Sequence, residues 1–237
     1  MNRILLMVLR NLGKLPGALR KLYRYAKHTD QYPEAEIYGH IQYIARLAVS
    51  KGNIQLKVTG LENLPREDGF IFYPNHQGMF DAVALLANCP RPFGVVFKIE
   101  LAKIPVLKQF IACTRSFAMD RDDVRQSLTV IQNVTKQVQS GRNYLIFPEG
   151  TRSKKGNEMV EFHGGSFRAA MKAKCPIVPV AFIDSFKVLD QKGSAPVSVQ
   201  MHCLRPIPYE EYGHLKTVEV AELVKSCIAA AIEENLA

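Results

Sequence analysis

Apolar positions along the chain change their period near residue 53. Before it the spacing is helical. Ile37, Ile41, Ile44, Ala45 and Ala48 share one face of a stretch from about Glu34 to Ser50, which Gly52-Asn53 closes. A first segment, rich in Ile4, Leu5, Leu6, Met7, Val8, Leu9, Leu12, Leu15, Leu19, Leu22 and Tyr23, precedes it, so a helical hairpin is expected with its join near Tyr32-Pro33. After residue 53, short β-rich runs alternate with helical ones. Candidate strands are 54–58, 70–73, 93–97, 144–147, 177–182 and 197–203, and candidate helices are 81–88, 123–140, 165–173 and 218–234. The 123–140 helix is the clearest: Asp123 with Gln126 forms a capping box, Val124, Leu128, Ile131 and Val138 make one stripe, and Gly141 stops it. The alternation predicts an α/β fold: a mixed, largely buried sheet flanked by helices. Two units are expected, an N-terminal helical element over 1–52 and an α/β domain over 53–237.

Charge sharpens the picture of the first segment. The chain carries a net +9, which calls for an anionic partner. Arg3, Arg10, Lys14, Arg20, Lys21, Arg24 and Lys27 fall within residues 1–27, which hold no Asp or Glu. Arg10 interrupts the apolar run too early for a signal peptide, and no stretch supplies the roughly 20 apolar residues of a spanning helix. Basic and apolar together, at this length, predict a two-helix membrane-interface element on an anionic phospholipid surface. Nucleic acid fits less well, because no basic stripe interleaved with aromatics is present. The five cysteines, Cys89, Cys113, Cys175, Cys203 and Cys227, are widely spaced without a C-x-x-C pair, so neither a metal site nor a disulfide framework is expected.

Three short motifs carry candidate chemistry, each after a predicted strand or before a predicted helix. In Tyr73-Pro74-Asn75-His76-Gln77-Gly78-Met79-Phe80-Asp81, His76 and Asp81 are five residues apart, which separates them on a continuous helix. A turn at Gly78 would let the imidazole fold back onto the carboxylate, a pairing that serves general-base catalysis; a capping Asp with an unrelated His is the alternative. In Phe147-Pro148-Glu149-Gly150-Thr151-Arg152-Ser153, Gly150 permits close backbone approach, Thr151 and Ser153 offer hydroxyls, and Arg152 suits an oxyanion. In Ser116-Phe117-Ala118-Met119-Asp120-Arg121, Arg121 precedes a helix N-terminus and is a candidate phosphate ligand, or else an ion-pair partner of Asp120 or Asp122.

Together with Lys98-Ile99-Glu100-Leu101, Ile104-Pro105 and Pro176-Ile177-Val178-Pro179-Val180-Ala181, these motifs stand in the order seen in the glycerolipid acyltransferases. Over residues 54–205 the chain resembles the bacterial lysophosphatidic acid acyltransferase branch of that family. The resemblance implies His76 as general base, Asp81 as its partner, and Arg121, Glu149, Gly150, Thr151 and Arg152 around the glycerol phosphate. It also implies an acyl-chain tunnel and an N-terminal membrane element. One departure stands out: where the family commonly has a Phe-Lys-Lys-Gly-like segment, this chain reads Phe162-His163-Gly164-Gly165.

The expected reaction moves a fatty acyl group from acyl-CoA or acyl carrier protein to the sn-2 hydroxyl of lysophosphatidic acid. His76 takes the hydroxyl proton, and backbone N–H groups or Lys98 meet the oxyanion. Gly164-Gly165-Ser166-Phe167 lacks the nucleophile-elbow pattern, so direct attack without an acyl-enzyme is expected, with neither metal nor cofactor. Such an enzyme would work at the cytoplasmic face of the cell membrane, as a peripheral or monotopic protein. Rival readings are transfer to glycerol-3-phosphate or another lysophospholipid, hydrolysis by the same His76 and Asp81, and non-enzymatic binding of anionic lipid.

Overall fold

The strand predicted around residues 70–73 lies at the centre of the molecule, because every one of its side chains is apolar or aromatic and both sheet faces are covered. A computed structural model describes residues 2–236. Its strands are β1 (Ile54–Thr59), β2 (Ile71–Pro74), β3 (Phe93–Lys98), β4 (Phe117–Met119), β5 (Asn143–Ile146), β6 (Ile177–Ile183) and β7 (Val197–Cys203). They form one sheet in the order β1-β7-β6-β2-β5-β3-β4. Five of them, β6, β2, β5, β3 and β4, run parallel; β7 turns back against β6 and carries β1 with it. Ile71 of β2 lies opposite Tyr144 on one side and Ile177 on the other.

Alternate residues of each central strand feed two cores, as the two-residue period of a strand dictates. Ile71, Tyr73, Ile177, Ala181 and Ile183 face α6 (Val124–Gln139), α7 (Arg168–Ala173) and α10 (Thr217–Leu236). Phe70, Phe72, Val178, Val180 and Phe182 face α3 (Glu34–Lys51) and α4 (Phe80–Asn88). Each large side chain so buried stabilises the fold by about 1.5–3 kcal/mol. The remaining helices are α1 (Arg3–Arg10), α2 (Leu15–Lys27), α5 (Pro105–Thr114), α8 (Phe186–Leu189) and α9 (Tyr209–Tyr212).

The structure departs from the sequence pattern in several places, the short helices α8 and α9 among them. The first apolar segment is two helices, α1 and α2, because Pro16 cannot donate the hydrogen bond a continuous helix would need; Asn11 Nδ2 instead closes α1 on Met7 O at 2.8 Å. Strand β4 was not expected: it is three half-buried residues on a sheet edge, too short to show a period. Helix α5 was not expected either; its buried side joins the cluster built around α2.

Helix α1 is bound to the rest of the molecule by Leu6 and Met7, which turn inward, by Arg10, which donates to Asn53 Oδ1 at 2.6 Å, and by a buried arginine. Arg3 is 4% exposed, and its guanidinium donates to Val188 O at 2.9 Å, Gly52 O at 2.7 Å and Ala195 O at 2.8 Å. Burial lowers its pKa below the usual arginine value. On the other side of α1, Ile4, Leu5, Val8 and Leu9 are exposed. Among the described residues, no helix is long and apolar enough to cross a membrane.

Candidate active site

All five parallel strands end at the same edge of the sheet, and the loops that follow them carry the site: β2 leads to His76, β3 to Lys98, β4 to Arg121, β5 to Glu149 and β6 to Ser185. Open parallel sheets gather ligands at this edge. The chain leaves β2 through Asn75, whose side chain clips β6 by donating to Phe182 O at 2.9 Å and accepting from Phe182 N at 2.7 Å. It then turns at Gln77-Gly78 and enters α4, returning Asp81 beneath the imidazole.

His76 and Asp81 meet. His76 Nδ1 lies 2.8 Å from Asp81 Oδ2, and the same oxygen accepts from Gln77 N at 2.8 Å and Gly78 N at 3.0 Å. The carboxylate is fully buried, whereas the imidazole is 19% exposed. A carboxylate can only accept, so Nδ1 carries the proton and Nε2 presents its lone pair. The Phe147 ring stacks on the imidazole with centroids 3.9 Å apart, fixing the plane of the ring.

Glu149 is buried behind this pair. Its Oε1 accepts from His76 N at 2.6 Å and its Oε2 from Val160 N at 3.1 Å, so it brackets the loop that presents the histidine. Desolvation raises its pKa, opposed by the two backbone donors. Gly150 has φ +67°, a conformation that favours glycine, and it turns its Cα toward two side chains. A Cβ there would sit 3.3 Å from the His163 ring and 3.8 Å from Arg121 Cζ. The His163 backbone is anchored, its N donating to Pro148 O at 2.9 Å, but among the described residues neither the His163 nor the Arg121 side chain has a hydrogen-bond or ion-pair partner. The Arg121 side chain stays solvent-accessible, yet the surrounding loops displace enough water to lower its pKa, with Glu100 pulling the other way.

Arg121 is held in place by half of the predicted capping box. Asp123 Oδ1 accepts from Gln126 N at 3.0 Å, but the Gln126 side chain reaches past the cap, accepting from Asp120 N at 2.9 Å and donating to Ala118 O at 2.8 Å. Thus α6 is tied directly to β4, with Arg121 on the loop between them. Arg152 lies apart from Arg121 and His163 in its bonding: it is ion-paired with Asp190, which also accepts from Met79 N at 3.2 Å. Lys98 is exposed and paired with Glu100 at 2.8 Å. Thr151 is exposed beside Gly150. An apolar hollow of about 340 Å³ opens near the start of α10, lined by Leu128, Ile131 and Met171 with Arg168 and Lys172 at its side.

A histidine paired with a buried carboxylate at a strand edge, beside the Arg121 and His163 side chains, has the geometry that general-base chemistry asks for. The Acyltransferase family model matches residues 55–183 of this chain. The chain belongs to the Acyltransferase family. Among curated relatives, it is similar to the 1-acyl-sn-glycerol-3-phosphate acyltransferase of Saccharomyces cerevisiae, at 27% identity over 212 residues, which cover 88% of this chain and 68% of that protein. It is similar also to the enzyme of the same name from Salmonella typhimurium, at 33% identity over 170 residues, 70% of this chain and 66% of that one. A shorter match, 28% identical, spans 56% of the Borreliella burgdorferi protein of that name. The fold is shared with the crystal structure of the 1-acyl-sn-glycerophosphate (LPA) acyltransferase from Thermotoga maritima. The TM-score is 0.75 and the identity 19%, over 98% of this chain and 96% of that one.

Within this Acyltransferase-family site, sequence reasoning singled out His76, Asp81, Arg121 and Glu149 but not Phe147 or Ser185 as groups touching the pair. Phe147 opens the motif that carries Glu149, so its position was within reach. Ser185 is 104 residues from its partner Asp81, and nothing local marks it.

Proposed function

We propose that this chain transfers a fatty acyl group from an acyl thioester to the sn-2 hydroxyl of lysophosphatidic acid, giving phosphatidic acid. One observation carries the reading: the Nε2 lone pair of His76 is free beside a loop whose glycine is flanked by Arg121 and His163. The acceptor phosphate meets the two cationic or donor side chains, which brings the glycerol hydroxyl to the imidazole. The names borne by the yeast and Salmonella relatives agree with this acceptor.

In the reaction, Nε2 takes the proton as the hydroxyl oxygen attacks the thioester carbonyl. Asp81 steadies the imidazolium that forms, and such catalysis contributes roughly 10²–10⁴-fold. Donors near the β-strand ends, among them Lys98 and backbone N–H groups, stabilise the oxyanion. The C–S bond then breaks, and the thiolate recovers the proton from Nε2. No acyl-enzyme forms, and no metal or cofactor takes part. The donor is acyl-CoA or acyl carrier protein, both thioesters.

The exposed apolar face of α1, flanked by the basic residues of α1 and α2, supports a place for this enzyme on an anionic membrane, at its cytoplasmic face. There it would draw lysophosphatidic acid from the surface on which it sits.

The test is acyl transfer to lysophosphatidic acid on anionic vesicles, with free thiol and lipid product both followed, for wild type and His76→Ala. Phosphatidic acid from wild type alone is the expected outcome. Thiol release without lipid product would make the protein a hydrolase, and equal product from both would remove His76 from the mechanism. Vesicle flotation of Leu5→Glu/Leu9→Glu addresses the membrane: loss of flotation with an unchanged melting profile is expected.

A further inference from the structure

We infer that Ser185 is a positioning residue of the reaction, completing a chain Ser185–Asp81–His76 that orients the general base. The inference deepens the function proposed above and depends on it. Ser185 is fully buried, and its Oγ donates to Asp81 Oδ1, the oxygen that His76 does not use. The Asp81 carboxylate therefore has donors on both oxygens: His76, Gln77 and Gly78 on Oδ2, and Ser185 on Oδ1. Three of the four come from its own loop, whose backbone fixes only one end of the carboxylate. Ser185 fixes the other end, and with it the rotation of the plane that faces the imidazole.

The hydroxyl has one proton and two acceptors within reach, Asp81 Oδ1 and Gln77 Oε1 at 3.1 Å. The proton goes to Asp81, because a charged acceptor outcompetes an amide and Gln77 Oε1 already accepts from Ser185 N at 2.9 Å. A separate set of bonds holds the serine itself. Gln77 Nε2 donates to Asn157 Oδ1 at 2.8 Å, and that oxygen also accepts from Asp184 N at 2.8 Å. Asn157 Nδ2 in turn donates to Asp184 Oδ1 at 3.1 Å. Each amide orientation is fixed by a backbone N–H that can only donate. Asp184 takes φ +63°, a left-handed turn that aspartate tolerates better than most residues, and this turn aims Ser185 inward as β6 gives way to α8. So many bonds devoted to one hydroxyl position argue for a function beyond filling space.

Without the hydroxyl, Asp81 Oδ1 is buried with no donor, and the carboxylate rotates to seek one, pulling Oδ2 off the line to Nδ1. Binding of the acceptor phosphate, which involves Arg121 and His163, is untouched. Ser185→Ala is therefore expected to lower kcat roughly tenfold while leaving KM for both substrates within about twofold. The rotated carboxylate is a poorer partner for the imidazolium, so the acidic limb of the pH–rate profile moves to lower pH. Ser185→Cys, close in shape and with a weak S–H donor, falls between the two. The experiment is steady-state acyl transfer to lysophosphatidic acid by the full chain on anionic vesicles across pH, with thermal melts of all three proteins. A folded Ser185→Ala protein with unchanged kcat and an unmoved acidic limb would overturn the inference, as would a loss confined to KM. Should Ser185→Ala not fold, the same two readings on Ser185→Cys decide. A folded wild type inert toward lysophosphatidic acid defeats the underlying function instead, and that result is visible before any variant is compared.

Discussion

The two sides of the site are built on opposite principles. Both oxygens of the buried Asp81 carboxylate are paired, and the imidazole is fixed by that carboxylate on one nitrogen and by Phe147 on its face. A short step along the chain from Glu149, the Arg121 and His163 side chains flank Gly150 with no partner among the described residues. A general base must be held at one angle before substrate arrives, since its efficiency depends on geometry in the transition state. A phosphate grip needs the reverse, donors whose bonds are left for the ligand. The difference teaches which losses to expect from each side: turnover from the first and substrate affinity from the second.

The largest break should come from Asp81→Asn, which offers the imidazole an amide and disturbs its tautomer. A fall in kcat of about 10²–10⁴-fold, with KM little changed, is expected from steady-state kinetics. A large rise in KM instead would put Asp81 in substrate binding and merge the two sides. Next comes the cationic side. Arg121→Ala should raise KM for lysophosphatidic acid by roughly 10–100-fold, the loss of a charge-assisted contact, and leave turnover at saturation nearly intact. His163→Ala should act in the same direction, by about 3–10-fold, because a histidine supplies fewer donors than a guanidinium. If His163→Ala depressed kcat alone, the division proposed here would fail.

The smallest effect uses a third histidine, His202, which belongs to neither side. It is buried on β7, hydrogen-bonded to Thr59 and Gln200. Burial, with help from Lys57 and against Glu234, holds its pKa below the ordinary histidine value. Below about pH 6.5 the unfolded chain takes up this proton before the folded one does, so stability declines as pH falls through that range. His202→Gln should flatten the decline seen in thermal melts below about pH 6.5, while the acidic limb of activity stays where it was. An equal change in both would tie the sheet edge to the site.

Much of the fold is legible in the chain because its signals are local. Strands β2, β5 and β6 are buried along their whole length and show as runs with almost no polar residue, whereas β1 shows by strict alternation of apolar and polar positions. The helix that follows Arg121 announces itself by Asp123 and by its stripe. What was not legible depended on distance or on brevity. The edge strand β4 is too short to show a period, and α5 buries its side against α2, so its pattern answers to a partner far along the chain.

The site divides in the same way. By itself the sequence determined which residues could do chemistry, since His76 and Asp81, Glu149 and Gly150, and Arg121 each lie in a motif with a turn or a helix start beside it. Only the tertiary structure decided what each one touches. Glu149 spends both oxygens on backbone N–H groups, Arg152 is paired with Asp190, and His163 joins Arg121 at Gly150. Ser185 reaches Asp81 across 104 residues of chain. The reason is physical: a strand ends where its own residues dictate, but which loops meet at the sheet edge depends on strand order, and strand order is fixed by contacts between segments that are distant in sequence.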